Sequence, residues 1–176
     1  MYEHLKDLDI NAIRRQPKND NYLQLNEFRF VLHRTPNLVY FCQEVYFPGV
    51  TVPTVIQPNP FGTQIKRTSS RIDYEDLNLT FLVNENMKNW EEIRYWMSGL
   101  TPERDFKNSL PEQEKFSDAS LILYTSASNA FFNITFINCF PISLSGIQFS
   151  STVDDINYAK ASVKFGFTGY KIDHNS

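Results

Sequence analysis

Chemistry in this chain would have to come from three histidines, two cysteines and three carboxylate clusters. His4, His33 and His174 are widely separated, and a zinc site wants closely spaced Cys or His pairs, which are absent. Cys42 or Cys139 with His33 would make a nucleophile–base pair. Both cysteines sit in strand-like apolar runs, where a thiol is inert, so they read as buried thiols of a reducing compartment. The carboxylates fall at Asp73/Glu75/Asp76, Glu91/Glu92 and Asp154/Asp155. Glu91 and Glu92 open a helix, where negative charge suits the dipole, and Asp154-Asp155 is turn chemistry. Two carboxylates flanking a glycosidic bond leave no sequence signature, so a glycan hydrolase stays open as a minor reading. With six glycines there is neither a phosphate loop nor a dinucleotide fingerprint. The cluster Lys66-Arg67-x-x-x-Arg71 reads first as a solvated loop tip, second as a tip facing a phosphate or a partner. No catalytic residue, metal ligand or cofactor site is nominated, and the chain is not expected to be an enzyme.

The elements that would position these groups are more legible. Leu77, Leu79, Phe81 and Val83 alternate with polar residues, a period of two that puts them on one face of a strand. Asn84-Glu85-Asn86 follows with oxygens suited to a helix N-cap. Trp90, Ile93, Trp96, Met97 and Leu100 then form the apolar stripe of a helix over 87–100, stopped by Gly99 and Pro102. Upstream, Leu25–His33 reads as a strand with Phe28, Phe30 and Leu32 on one face. Arg34-Thr35-Pro36-Asn37 is turn chemistry, so Leu38–Phe47 is expected to return as its hairpin partner, closed by Pro48-Gly49. Beyond a polar loop at 101–118, Ala119–Thr125 is a strand and Ser126–Asn129 a turn. Phe131–Phe140 follows, with Phe132, Ile134 and Phe136 on one face and Thr135, Ile137 and Cys139 on the other; Pro141 is expected to break it. Ile142–Ser151 is a weaker β segment. Tyr158–Tyr170 alternates most strictly of all.

These elements make a mainly β chain with one helix, an α+β fold in which an antiparallel sandwich or barrel is covered by that helix. The 176 residues suit one domain, here 23–172, preceded by a polar N-terminal arm at 1–22. In that arm Leu5, Leu8, Ala12 and Ile13 permit one short helix ending near Pro17. Fifteen Phe and nine Tyr lean the composition towards β structure. A net charge of −3 argues against a dedicated nucleic-acid binder. No apolar run approaches the roughly 20 residues of a membrane span, and with no N-terminal h-region the chain is expected to be cytosolic when made.

The segment 50–71 stands apart. Pro53, Pro58 and Pro60 deny it a helix or a central strand, yet Val50, Val52, Val55, Ile56, Phe61 and Ile65 are too apolar for a solvated loop. A connection of about 20 residues in a compact domain is functional or disordered, and this one is too hydrophobic for disorder. It reads as an extended excursion lying against something.

Taken in order, Tyr40-Phe41-Cys42-Gln43-Glu44, Phe47-Pro48-Gly49, the proline-rich excursion, Asp73-Tyr74-Glu75-Asp76-Leu77 with Thr80-Phe81-Leu82-Val83, and the Trp90…Trp96 helix resemble the tail-tube family of contractile-tailed bacteriophages. Phe47 replaces the leucine usual in that family's turn. Within the family, length, N-terminal arm and charged loop are most similar to the tube-terminating (tail completion) branch of T-even-type phages. The resemblance implies a hexameric ring that caps the last tube ring, ends polymerisation and meets the sheath terminator and neck. DNA would pass through its lumen without specific binding. Location in the virion after assembly in the host cytoplasm is implied too. On that reading Pro48, Gly49, Val50, Val52, Val55, Ile56, Phe61 and Ile65 are inter-subunit residues. The alternatives are a repeating tube or tube-initiator subunit, and, from a different class, a β-sandwich carbohydrate-binding module. The last would display exposed tryptophans, whereas both here fall in the helix stripe.

Overall fold

A computed structural model describes residues 22–58, 61–101, 110–124, 130–150 and 158–174. Its strands are β1 (Phe28–Leu32), β2 (Cys42–Tyr46), β3 (Val50–Thr51), β4 (Thr54–Pro58), β5 (Gln64–Thr68), β6 (Asp73–Tyr74), β7 (Leu77–Leu82), β8 (Ser117–Tyr124), β9 (Ala130–Leu144), β10 (Lys160–Gly166) and β11 (Gly169–His174). Two α-helices are α1 (Pro36–Tyr40) and α2 (Lys88–Leu100). The expected N-terminal helix, Pro102, the turn at Ser126–Asn129 and Asp154-Asp155 lie outside the described residues.

Seven strands form one antiparallel system in the order β1-β8-β9-β10-β7-β2, with β11 also on β9. Strand β9 is long enough to serve two sheets. Its first half pairs with β8 and β11, its second with β10. The corner is a bulge. Ser117 lies opposite Cys139 and Ala119 opposite Phe136, so β9 carries one extra residue there. Asn138 takes it up in the left-handed region at φ 56°, a conformation Asn tolerates. Its N–H donates to Asp118 Oδ1 at 3.0 Å. The break between β10 and β11 sits at the same level, where the Thr168 N–H donates to Ile137 O at 3.0 Å.

This bulge corrects the face expected for Cys139. Phe136 and Cys139 are both fully buried, because the extra residue shifts the inward set by one position. Pro141 does not break the strand either. It is buried opposite Phe165, where the β9–β10 register slips and no N–H is demanded of it.

The core lies between the two sheets: Phe30, Leu32, Leu77, Leu79, Phe81, Ala119, Leu121, Ile134, Phe136, Ala161, Val163 and Phe165, with Ile93 and Trp96 of α2. Each large apolar side chain so buried contributes about 1.5–3 kcal/mol. The expected β1–β2 hairpin is absent. Pro36 opens α1, a place its missing N–H allows, and Leu38 of α1 is fully buried. The chain thus crosses between sheets, leaving β1 on β8 and β2 on β7.

Helix α2 begins differently from the expected cap. Met87 is its N-cap, left-handed at φ 54° and without a side-chain cap bond. The capping oxygen comes instead from buried Asn89. Its Oδ1 accepts from Asn84 N–H at 3.3 Å and Trp90 N–H at 3.0 Å, and its Nδ2 donates to Leu82 O at 2.7 Å. Nor does Gly99 end the helix, which runs on to Leu100. A Cβ at Gly99 would lie 2.6 Å from Leu110 Cδ1, so the glycine makes room for packing. Trp96 is 2% exposed. Its indole N–H donates to Lys115 O at 2.9 Å, its ring lies 5.9 Å from that of Phe165, and the Arg34 guanidinium stands 5.1 Å above it. The rest of the stripe, Trp90, Met97 and Leu100, packs on the core half-buried.

Candidate functional site: an apolar arm on a pinned root

Among the described residues, those with chemical potential do not converge; His4 and Asp154-Asp155 lie outside them. His33 is exposed in the turn after β1. Cys42 is half-buried and its thiol is pushed up to about 11 by burial. Cys139 is buried and pushed up to about 12 by the same desolvation, with the Asp118 charge adding to it. Neither is a thiolate at neutral pH. Of the carboxylates, Asp73 pairs with Arg71 at 3.3 Å, Glu91 is exposed in the first turn of α2, and Glu92 accepts from Asn37 of α1. Among the described residues no three His, Cys, Asp or Glu side chains are grouped to hold a metal.

The segment 50–71 is where the fold departs from a closed body. Strands β3 and β6 pair as a short root. Beyond them β4 and β5 form a hairpin registered from Thr54 opposite Thr68 to Pro58 opposite Gln64. Every residue of β4 and β5 is exposed. The prolines that disguised this hairpin in the sequence flank it: Pro53 precedes β4 and Pro58 is its last residue. A two-stranded ribbon asks for fewer N–H groups than a central strand, so both are tolerated. Two backbone links hold the root. Ser69 N–H donates to Pro53 O at 2.8 Å, and Glu75 N–H donates to Gly49 O at 3.0 Å. The Gly49 N–H returns a bond to Glu75 Oε2 at 3.2 Å. A Cβ at Gly49 would lie 2.9 Å from that oxygen, so a larger residue there would push the end of the Glu75 side chain aside.

An aromatic cluster anchors the root to the sheets. Phe47, just before the arm, lies 5.3 Å from Tyr170 and 6.1 Å from Phe136. Tyr74, at its far end, lies 5.5 Å from Tyr170 and 5.7 Å from Phe167. These spacings suit edge-on aromatic contacts. The arm is thus pinned at its base and displays its apolar residues outward. Val50, Val52, Val55, Ile56, Phe61 and Ile65 are all 45–87% exposed. Pro48 is different: it is buried within its own chain, and Gly49 is half-buried. The outward part of the set therefore starts at Val50.

Besides the hairpin, two features escaped the sequence. One is the clamp between Gly49 and Glu75, whose faint signal is a glycine and a carboxylate at the two ends of the excursion. The other is an apolar groove of about 390 Å³ at one end of the core, walled by residues of β1, β2, β8, β9 and β11. Its lining comes from so many separate strands that no local pattern reveals it.

Comparison with known proteins agrees with this architecture. The model of the phage tail tube protein family matches residues 10–173. The chain is 27% identical over 137 residues to the tail tube terminator protein of Enterobacteria phage T4, across 74% of this chain and 76% of that one. In fold it is similar to a chain in the tube-terminating cap of the anti-feeding prophage, at TM-score 0.65 and 15% identity over 92% of this chain and 97% of the other. It is similar again to a chain in the PVC sheath/tube terminator of an extracellular contractile injection system, at TM-score 0.61 and 14% identity over 88% and 99%. The family match spans both sheets, the arm and α2, and by it this chain belongs to the phage tail tube protein family.

Proposed function

We propose that the chain is a tail tube terminator, a structural and non-enzymatic protein. Copies of it close into a ring on the last ring of a tail tube, end tube growth, and offer the far face to the sheath terminator and neck. The observation that carries this reading is the pinned arm on which Val50, Val52, Val55, Ile56 and Ile65 stand 45–58% exposed. Exposed apolar surface of this kind marks an interaction site. An arm gripping a different surface of the next copy makes a heterologous contact, which closes into a ring when the rotation fits. Identity to the T4 terminator favours the capping role over the repeating tube subunit. The number six comes from family resemblance. The net charge of −3 fits a conduit that DNA traverses, since a strongly basic lumen would hold phosphates through counterion release. The particle is the virion, put together in the host cytoplasm.

Mixing the purified protein with tail tubes and imaging by electron microscopy tests the proposal. A single added layer at one tube end is the expected outcome; filaments of indefinite length would identify a tube subunit instead. A variant with Thr54–Thr68 replaced by two glycines should keep the monomer fold, because Pro53 and Ser69 are already bonded at 2.8 Å. It should form no ring, and a ring formed without the hairpin would remove the arm from the mechanism.

A further inference from the structure

The ring reading needs the arm to leave the body at one angle, and we infer that Tyr170 is the positioning residue that sets it, holding both legs of the arm against the corner between the two sheets. This inference rests on that reading and names the side chain on which its geometry turns. The bonds at the root run from one leg to the other: the β3–β6 ladder, Ser69 N–H to Pro53 O, and the two bonds between Gly49 and Glu75. They make the legs one ribbon. They do not tie that ribbon to the sheets, and a short two-stranded ladder is too weak to hold a direction of its own.

The tie to the sheets passes through one ring. Phe47 leads into the arm and Tyr74 leads out of it, yet both stand edge-on to Tyr170, at 5.3 Å and 69° and at 5.5 Å and 67°. Edge-to-face contact is directional, because the positive edge of one ring meets the negative face of another. Two such contacts on one ring therefore fix orientation as well as distance. Tyr170 is itself held in place. It lies opposite Phe136 in the β11–β9 register, and its ring is 5.8 Å from that fully buried side chain. Phe167, just past β10, closes the cluster at 6.2 Å from Tyr170 and 5.7 Å from Tyr74. Phe167 and Tyr170 flank the break between β10 and β11, which is fixed by the Thr168 N–H bond to Ile137 O beside the Asn138 bulge. The corner that turns β9 from one sheet to the other thus also sets where the anchor of the arm stands. A slip of one residue in the β11–β9 register would carry Tyr170 to the other face of its strand and release both legs together.

Nuclear magnetic resonance on the full chain tests this, since backbone residual dipolar couplings report how far one part of a molecule turns against another. In the unsubstituted chain and in Tyr170→Phe, which keeps the ring, the amides of β4 and β5 should fit the same alignment as those of β7 and β10. In Tyr170→Ala the arm couplings should shrink and leave that alignment. The β7 and β10 amides should keep theirs, and the Ser69 and Glu75 amides should stay protected from exchange. Should Tyr170→Ala fail to fold, Tyr74→Ala carries the same prediction, because Tyr74 is 41% exposed and lies outside the core. Capping of tail tubes should fall in the alanine variant and return in Tyr170→Phe. An arm that keeps the alignment of the sheets in both alanine variants would overturn the inference. So would an arm already loose in the unsubstituted chain, or equally loose in Tyr170→Phe. A loosened arm with undiminished capping would overturn its bearing on assembly. Arms that loosen as expected, beside an unsubstituted chain that never caps a tube, would overturn the ring reading and leave the role of Tyr170 standing.

Discussion

Replacing Asn89 by alanine is the sharpest probe of how the helix is attached to the sheets. The side chain is fully buried and serves three backbone groups at once. Its oxygen takes the N–H groups of Asn84 and Trp90, and its amide donates to Leu82 O at 2.7 Å. The Trp90 N–H is one of the first-turn donors that have no partner inside a helix. Asn89→Ala strands two donors and one acceptor. At about 1–3 kcal/mol for each buried group left unpaired, with some relief from relaxation, the loss is about 4 kcal/mol. Against a domain stability of about 5–15 kcal/mol this is large, and at about 2–4 °C per kcal/mol it lowers Tm by about 8–16 °C. Urea unfolding followed by the fluorescence of Trp90 and Trp96 measures it directly. Asn89→Asp separates the parts. It keeps an acceptor for both N–H groups but sets a carboxylate oxygen against Leu82 O, so its stability should rise as the pH falls and the acid regains a donor proton. A loss below about 1 kcal/mol in Asn89→Ala, with an unchanged urea dependence, would refute the claim that this side chain joins α2 to β7.

Trp96→Ala removes a ring packed on Phe165, its bond to Lys115 O and its contact with Arg34. A loss of about 3–5 kcal/mol in chemical denaturation is expected; unchanged unfolding would contradict the placement of α2. Gly99→Ala should cost about 1–3 kcal/mol rather than gain helix propensity, because its Cβ would meet Leu110 at 2.6 Å. Thermal melts of that variant decide the sign. The two thiols, raised from about 9 to about 11 and about 12, hold their protons longer when folded than when unfolded. Their stabilising contribution is therefore complete below about pH 9 and lost as pH climbs through the folded values. Urea midpoints that rise across that alkaline range would refute it.

Much of the body could be read from periodicity. Leu77, Leu79 and Phe81 alternate as expected, as do Ala161, Val163 and Phe165, and Ile93 and Trp96 lie on the buried side of α2. What could not be read is non-local. Strand pairing carries no mark in the residues that pair, so β1 joined β8 and not the neighbouring β2. A bulge depends on one residue accepting an unusual conformation, and nothing around Asn138 announces which residue will. Gly99 and Pro141 mislead for a shared reason: their usual reading as terminators is statistical, and each has a packing or register environment that overrides it. Of the candidate site, the exposed apolar character of 50–71 was legible, whereas the hairpin, its clamp and the groove were not. The latter three are made by residues that meet only after folding.

The distribution of exposed apolar surface makes the fold and the assembly one problem. Both sheets bury their inward faces well, so the body needs no partner to complete its core. Many of the large apolar residues left outside fall in two places: Tyr22, Leu23 and Leu25 where the described chain begins at the groove, and Val50 through Ile72 along the arm. A monomer selected only for solubility would scatter such residues singly. Concentrating them on two unlike surfaces, one of them an arm with Lys66, Arg67 and Arg71 and no acidic residue, supports the proposed contact between copies in a fixed sense over random aggregation. The rigid root then matters as much as the apolar tip. A swinging arm would satisfy its apolar residues in many relative positions, while an arm held by the Gly49–Glu75 clamp and the aromatic cluster around Tyr170 offers one angle. One angle repeated around an axis gives a ring with a definite number of members. If copies close into a ring as proposed, the clamp is the part of the chain through which local packing would set the size of that ring.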